Sequence, residues 1–149
     1  MVDALFGWGV GDIIAISKLV AKVITAYKDA PSDYKNITEE LKSLQGMIDK
    51  AAEHYKSPAL SDKDRQVGQD ALKGCQSVVE DLNSLYEKYK SLAEEGGGPV
   101  FTRLQLGTTE HIADLRARLT SNATLLSSFI RRFNILAIII WFIILIFIF

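Results

Sequence analysis

The chain has 149 residues, enough for one domain with its own hydrophobic core. Its 17 Lys and Arg nearly balance its 18 Asp and Glu, which leaves a net charge of −1. No basic face is therefore expected, and we predict no nucleic-acid partner. The single cysteine, Cys75, excludes an internal disulfide and favours a reducing compartment.

Apolar residues recur at helical spacings of three and four in four successive segments, which begin near residues 13, 34, 71 and 112. No segment alternates long enough to indicate a strand. We therefore predict an all-α fold, an antiparallel four-helix bundle with a C-terminal hydrophobic transmembrane helix. The apolar positions are Ile13, Ile16, Val20, Val23 and Tyr27; Tyr34, Ile37, Leu41, Leu44, Ile48, Ala51 and Tyr55; Ala71, Cys75, Val78, Leu82, Leu85, Tyr89 and Leu92; and Ile112, Leu115, Leu119, Leu126, Phe129 and Phe133.

Turn-forming residues separate the four segments. The second helix is expected to end at Ser57-Pro58, and Ser61 with Asp64 resembles the start of the third. The run Gly96-Gly97-Gly98-Pro99 should end the third helix. Thr108 or Thr109 is expected to open the fourth. The predicted organisation is an N-terminal segment at 1–12, a bundle at 13–133 and a membrane segment at 134–149.

The C-terminal segment is continuously apolar, and residues 133–149 carry no charge. At about 1.5 Å per residue this helix spans roughly 25 Å, somewhat short of a hydrocarbon core of about 30 Å. Arg131 and Arg132 precede it and should stay cytosolic, which predicts a single-pass, tail-anchored protein with a cytosolic N-terminal domain. The residues expected in lipid are Ile135, Leu136, Ile138, Ile139, Ile140, Trp141, Phe142, Ile143, Ile144, Leu145, Ile146, Phe147, Ile148 and Phe149.

A membrane helix is the first of three interpretations of this segment. The second is a helix buried in protein, although a bundle of this size has few side chains to cover a helix that is apolar on every face. The third is a misread gene end. A single strand without a partner would be viable in neither lipid nor water.

The N-terminus is an apolar, glycine-containing segment without the basic flank of a signal peptide. Its glycines are not a phosphate-binding loop, because no strand precedes them and no Gly-Lys-Ser/Thr follows. The segment either packs on the bundle or is released into a bilayer as a mobile element. The residues of this mobile segment are Leu5, Phe6, Gly7, Trp8, Gly9, Val10 and Gly11.

No set of residues suggests catalysis or metal binding. His54 and His111 lack a second ligand at helical spacing, and Cys75 lies on the apolar face of the third segment. Asn122 is a polar residue on the core face of the fourth segment, of the kind that sets helix register. We expect no enzyme activity, no cofactor and no small-molecule substrate.

Several stretches resemble the N-terminal domains of fungal NLR-like (STAND) proteins and related ankyrin-repeat proteins. They are residues 6–15 (FGWGVGDIIA), 18–27 (KLVAKVITAY), 30–34 (APSDY), 39–44 (EELKSL) and 112–119 (IADLRARL). The resemblance covers most of residues 5–130 and consists of hydrophobic patterns. It implies a HeLo-like helical bundle that acts as a signalling or membrane-targeting effector. In that family nucleotide-binding and repeat regions follow the bundle, whereas here the apolar segment at 134–149 follows it.

Two functional hypotheses result. The first is a membrane-anchored signalling or interaction domain, in which cell-death or incompatibility activity arises by oligomerisation at a membrane. Its partners would be membrane lipid and further copies of the chain or related helical domains. The alternative is a soluble or tethering structural fragment of a larger NLR-like receptor with no membrane-disrupting activity.

Overall fold

The structure is a computed structural model that describes residues 9–28, 32–57, 60–96 and 100–148. These residues form four α-helices and, within the described ranges, no strand. The helices are α1 (Val10–Tyr27), α2 (Ser32–Tyr55), α3 (Asp62–Gly96) and α4 (Val100–Ile148). The prediction of an all-helical fold with a long apolar C-terminal helix is confirmed.

Local sequence explains three helix ends: the start of α1 and both ends of α3. The Asp12 carboxylate accepts a 2.7 Å hydrogen bond from the Gly9 amide and closes the first turn of α1. The Ser61 hydroxyl accepts a 3.1 Å bond from the Asp64 amide, which confirms the predicted start of α3. That helix ends at Gly96, the first residue of the predicted Gly96-Gly97-Gly98-Pro99 stop.

Every described side chain on the predicted apolar faces of α1 and α2 is buried, and most of those on α3 and α4 are buried as well. They form one continuous core in which Tyr27 and Leu115 are fully enclosed. Tyr89 and Phe133 are only partly buried and pack against its edge. Burial of such faces, rather than intrinsic helix propensity, stabilises the four helices.

Small side chains let α3 approach α4 closely. A β-carbon at Gly68 would lie 2.8 Å from the ring of Phe129, and one at Gly74 would overlap the amide of Asn122. Asn122 is half-buried there and donates a 2.8 Å hydrogen bond to the carbonyl of Arg118. Both glycines are therefore required by packing and not by a turn.

The fourth helix differs from the prediction at its start. It begins at Val100, so Thr108 and Thr109 lie within the helix instead of capping it. It then continues without a break past residue 134, the expected boundary between bundle and membrane segment, to Ile148. At about 1.5 Å per residue this single element is about 73 Å long.

Candidate membrane-spanning segment and its junction with the bundle

The last part of α4 leaves the core entirely. Ile130 is the last buried residue of the helix, and from Ile135 to Ile148 every large apolar side chain is exposed, from 39% at Leu145 to 85% at Phe147. Phe149 lies outside the described residues. Among the described helices one, over Ile112–Ile148, is long and apolar enough to cross a membrane, and 11% of its most apolar window is buried. In a core helix of a soluble protein, the corresponding apolar stretch would be mostly buried.

Exposed apolar side chains are scarce elsewhere. Outside the tail, Ile14 and Leu125 are the exposed large hydrophobic residues of the described chain. Isolated side chains of this kind are ordinary on a soluble surface, whereas a continuous run of them indicates a binding or membrane surface. The contrast confines the candidate site to the protruding end of α4.

Arg131 and Arg132, the predicted membrane flank, are both exposed at the base of the protruding helix. Neither forms a salt bridge with any other described residue. They point to different neighbours, because Arg131 lines a groove beside α2 whereas Arg132 lines a small cavity with Leu60 and Asp64. Two adjacent arginines thus have distinct surroundings.

An aromatic contact joins the base of the protruding helix to α2. The rings of His54 and Phe133 stack with centroids 4.1 Å apart and planes at 19°. Burial lowers the pKa of His54, since the charged imidazolium loses hydration there; Glu53 partly opposes this and Lys50 adds to it. The contact favours a neutral ring, which packs on Phe133 as a flat, largely apolar surface.

The connection between α2 and α3 lies at the same end of the molecule. Arg65 donates hydrogen bonds to the carbonyl oxygens of Tyr55 and Ser57, and its guanidinium lies 4.9 Å from the centre of the Tyr55 ring. These bonds satisfy carbonyl groups that the end of α2 leaves without helical partners. Leu60, which precedes the start of α3, is buried in the core.

An open groove of about 360 Å³ runs between α2 and α4. The sequence did not predict this groove. The feature that could have indicated it is a row of small polar residues beside the core positions of the fourth helix. Glu40, at one end, accepts a 2.7 Å bond from Arg116, which also raises the pKa of that guanidinium. The side chains lining the groove are Glu40, Ser43, Met47, Leu119, Thr120, Ala123, Thr124, Ser127 and Arg131.

The mobile segment proposed from the sequence is described only in part. Leu5, Phe6, Gly7 and Trp8 lie outside the described residues. Gly9 caps α1, and Val10 and Gly11 form its first turn. Whether this segment is membrane-active stays a prediction.

The remaining reactive side chains are structural. Cys75 is buried in the core, as predicted, and burial raises the pKa of its thiol to about 12, so the reactive thiolate is suppressed. Within the described ranges, no three His, Cys, Asp or Glu residues are placed to hold a metal ion. The side chain of His111 lies outside the described residues.

Comparison with known proteins returned no match to a family model, to a curated protein or to a solved structure. The case for function therefore depends on the geometry above.

Proposed function

We propose that the chain is a membrane-anchored helical interaction module without enzymatic activity. One observation carries the proposal: α4 contributes a buried face to the core up to Ile130 and then exposes an apolar surface on all sides from Ile135 to Ile148. Water penalises such a surface, whereas a hydrocarbon interior does not, and a helix satisfies its own backbone hydrogen bonds there. Membrane lipid is thus the first proposed partner.

We infer that the helices form an antiparallel bundle, because their side-chain contacts follow consistent registers. Thr38, early in α2, bonds to the carbonyl of Tyr27 at the end of α1. Further along α2, Asp49 accepts a bond from Ser17, which lies nearer the start of α1. Later residues of α2 thus meet earlier residues of α1, as in an antiparallel pair.

The same reasoning applies to α3 and α4. Arg118 bonds to Asp81 at 2.8 Å, and Phe129, later in α4, lies against Gly68, earlier in α3. By contrast, α2 and α4 run in the same direction, since Arg116 meets Glu40 and Phe133 meets His54. This is the up-down-up-down order of a four-helix bundle.

This arrangement brings the first turn of α1 to the end of the bundle from which the membrane segment leaves. The register that pairs Ser17 with Asp49 extends to pair the start of α1 with the end of α2. Residues 5–8 of the mobile segment therefore precede the first turn of α1 in the chain, next to the proposed membrane surface. An apolar segment attached there can reach the bilayer while α1 keeps its first turn.

The orientation follows from charge. Arg131 and Arg132 sit at the base of the apolar segment, and arginines in such flanks remain on the cytosolic side. We therefore propose a single-pass protein whose bundle faces the cytosol. The resemblance to fungal NLR-like N-terminal domains supports a signalling role through association with further copies or with related helical domains.

The anchor is tested by carbonate extraction of cells that express the tagged full chain. A variant ending at Asn134 retains Phe133 and its contact with His54, so it removes the tail and leaves the core intact. We expect the full chain in the membrane pellet and the shortened chain in the supernatant. Equal solubility of the two would refute the anchor.

A second experiment distinguishes an effector from a tether. Liposomes loaded with dye are incubated with the full chain and with a variant lacking residues 1–8, which keeps the Gly9–Asp12 cap of α1. An effector that uses the mobile segment should release dye, and the deletion should abolish release without reducing membrane binding. Binding without release by either protein would favour a tether.

A further inference from the structure

The α2–α4 groove has a composition suited to an anionic ligand at one end. Glu40 is held by Arg116 at the end away from the tail, so its charge is already compensated. Arg131, at the other end, is exposed and forms no salt bridge with a described residue. Between them the small polar residues Ser43, Thr124 and Ser127 line the groove.

The depth of this end relative to a bilayer is set by α4. Ser127 and Arg131 are one helical turn apart, about 6 Å along the axis, and the exposed apolar run begins four residues after Arg131. A helix that places Ile135 at the edge of the hydrocarbon therefore places Arg131, about 6 Å away along the axis, among the lipid headgroups, and Ser127, about 12 Å away, beyond their outer edge. Phosphate groups are the principal anions in the headgroup layer.

We propose that the Arg131 end of this groove binds the phosphate headgroup of an anionic glycerolipid; this inference rests on the proposed membrane anchor. The guanidinium supplies a planar set of donors that matches phosphate oxygens, and the Ser127 hydroxyl adds a neutral donor beside it. The Thr124 hydroxyl donates its proton to the carbonyl of Thr120 at 2.9 Å, so it is not counted among these donors. The 360 Å³ volume is at the lower end of ligand pockets, which span about 300–1,000 Å³. It suits a headgroup.

Arg132 provides a matched control one residue away. Both arginines are charged and exposed, and they lie at nearly the same distance from the apolar run. Arg132, however, lines the small cavity together with Asp64 and Phe133 and does not line the groove. A general attraction between the flank and a negative surface would use both arginines equally. Of the two arginines, a headgroup site in the groove would depend only on Arg131.

The test is native mass spectrometry of the full chain in non-ionic detergent, titrated with phosphatidylglycerol. We expect one tightly bound lipid per chain, with affinity reduced about tenfold or more by Arg131→Gln, since a charge-assisted hydrogen bond is lost, and changed less than about twofold by Arg132→Gln. Ser127→Ala should give a smaller loss. Thermal unfolding of the variants should match that of the parent, because both arginines are exposed.

Two further ligands identify the source of the phosphate. Phosphatidylcholine should bind more weakly, because its choline cation repels the guanidinium, and inorganic phosphate at the same concentration should not displace the lipid. Equal losses in the two arginine variants, or displacement by inorganic phosphate, would overturn the proposal. Carbonate extraction of the same variants distinguishes failure of the headgroup site from failure of the membrane anchor. Chains that stay in the membrane pellet but bind no lipid disprove only the headgroup site.

Discussion

The two parts of α4 present different surfaces along one continuous helix. Between Ile112 and Ile130 its apolar side chains repeat at three and four residues and are covered by α2 and α3. Between Ile135 and Ile148 they occur at every position, and every large one is exposed. The backbone is the same in both parts, so the distribution of apolar residues around the axis, and not helix formation itself, decides what surrounds each part.

The largest effect that tests this contrast comes from replacing one leucine by alanine in each part of α4. Leu119 is 2% exposed in the core, whereas Leu145 is 39% exposed in the tail. We expect Leu119→Ala to lower the free energy of unfolding of the bundle by about 2–5 kcal/mol, because it leaves a cavity. Leu145→Ala should leave it unchanged. Urea unfolding of both variants in mild detergent, monitored by circular dichroism, measures the difference in the free energy of unfolding.

The opposite pattern would show that the two parts are not separate. A bundle destabilised as much by Leu145→Ala as by Leu119→Ala would mean that the tail packs against protein. A helix buried in protein would then replace the membrane helix as the interpretation of the tail.

A second test addresses the close contact of α3 with the bundle part of α4. Gly68→Ala adds a methyl group 2.8 Å from the Phe129 ring, which is itself 2% exposed and cannot move freely. Overpacking of this kind costs about 1–3 kcal/mol and should outweigh the gain of about 1 kcal/mol from replacing a helical glycine. Thermal unfolding should therefore show a lower Tm.

Gly46 supplies the control. It lies inside α2 with nothing within 4 Å of its added methyl group, so Gly46→Ala should raise stability by about 1 kcal/mol. A stabilising Gly68→Ala would indicate that α3 and α4 are further apart than described.

A third test measures how firmly α2 holds the bundle part of α4. Arg116 and Glu40 form a salt bridge in which 36% of the Arg116 side chain and 31% of the Glu40 side chain are exposed. Because solvent screens the pair, its coupling energy in a double-mutant cycle should be below about 1 kcal/mol. A coupling of several kcal/mol would mean that the pair is buried in an assembly of chains.

The smallest effect is expected at the boundary between the two parts, where His54 stacks on Phe133. Burial lowers the pKa of His54 below 6.5, so the unfolded chain binds a proton first as the pH falls. This contribution to stability is fully present above about pH 6.5 and is lost as the pH falls towards the lowered folded-state pKa. Urea unfolding at about pH 7.5 and 5.5 should show this loss.

His54→Phe keeps the stacked ring and removes the titration. Its stability should therefore depend less on pH than that of the parent chain over the same range. Identical pH dependence in the two proteins would exclude His54 as the group responsible.

The core was predictable because helical spacing determines which side chains share a face. The positions from Ile13 to Tyr27 and from Ile37 to Tyr55 are all buried, as the spacing predicts. The start of α4 was not predictable: Gly107 and the two threonines after it resemble a helix start, yet the helix continues through them from Val100. Neighbouring turns can carry a helix across such residues at a cost of about 1 kcal/mol for a glycine.

The candidate site was predictable only in its apolar part. A run of uncharged residues indicates the protruding helix without knowledge of the fold. The groove was missed because Glu40 and Ser43 are far from Ser127 and Arg131 in the sequence, and only the packing of α2 on α4 brings them together. The distinction between Arg131 and Arg132 was missed for the same reason, since it depends on which neighbour each side chain meets.

The absence of a break in α4 between Val100 and Ile148 also couples the orientation of the bundle to that of the exposed apolar part. A rigid α4 passes the direction of that part to the helices packed on it. For the proposed membrane helix, a tilt of about 20° from the bilayer normal is typical. With such a tilt, the long sides of the bundle, rather than its far end, would face neighbouring molecules diffusing in the same membrane.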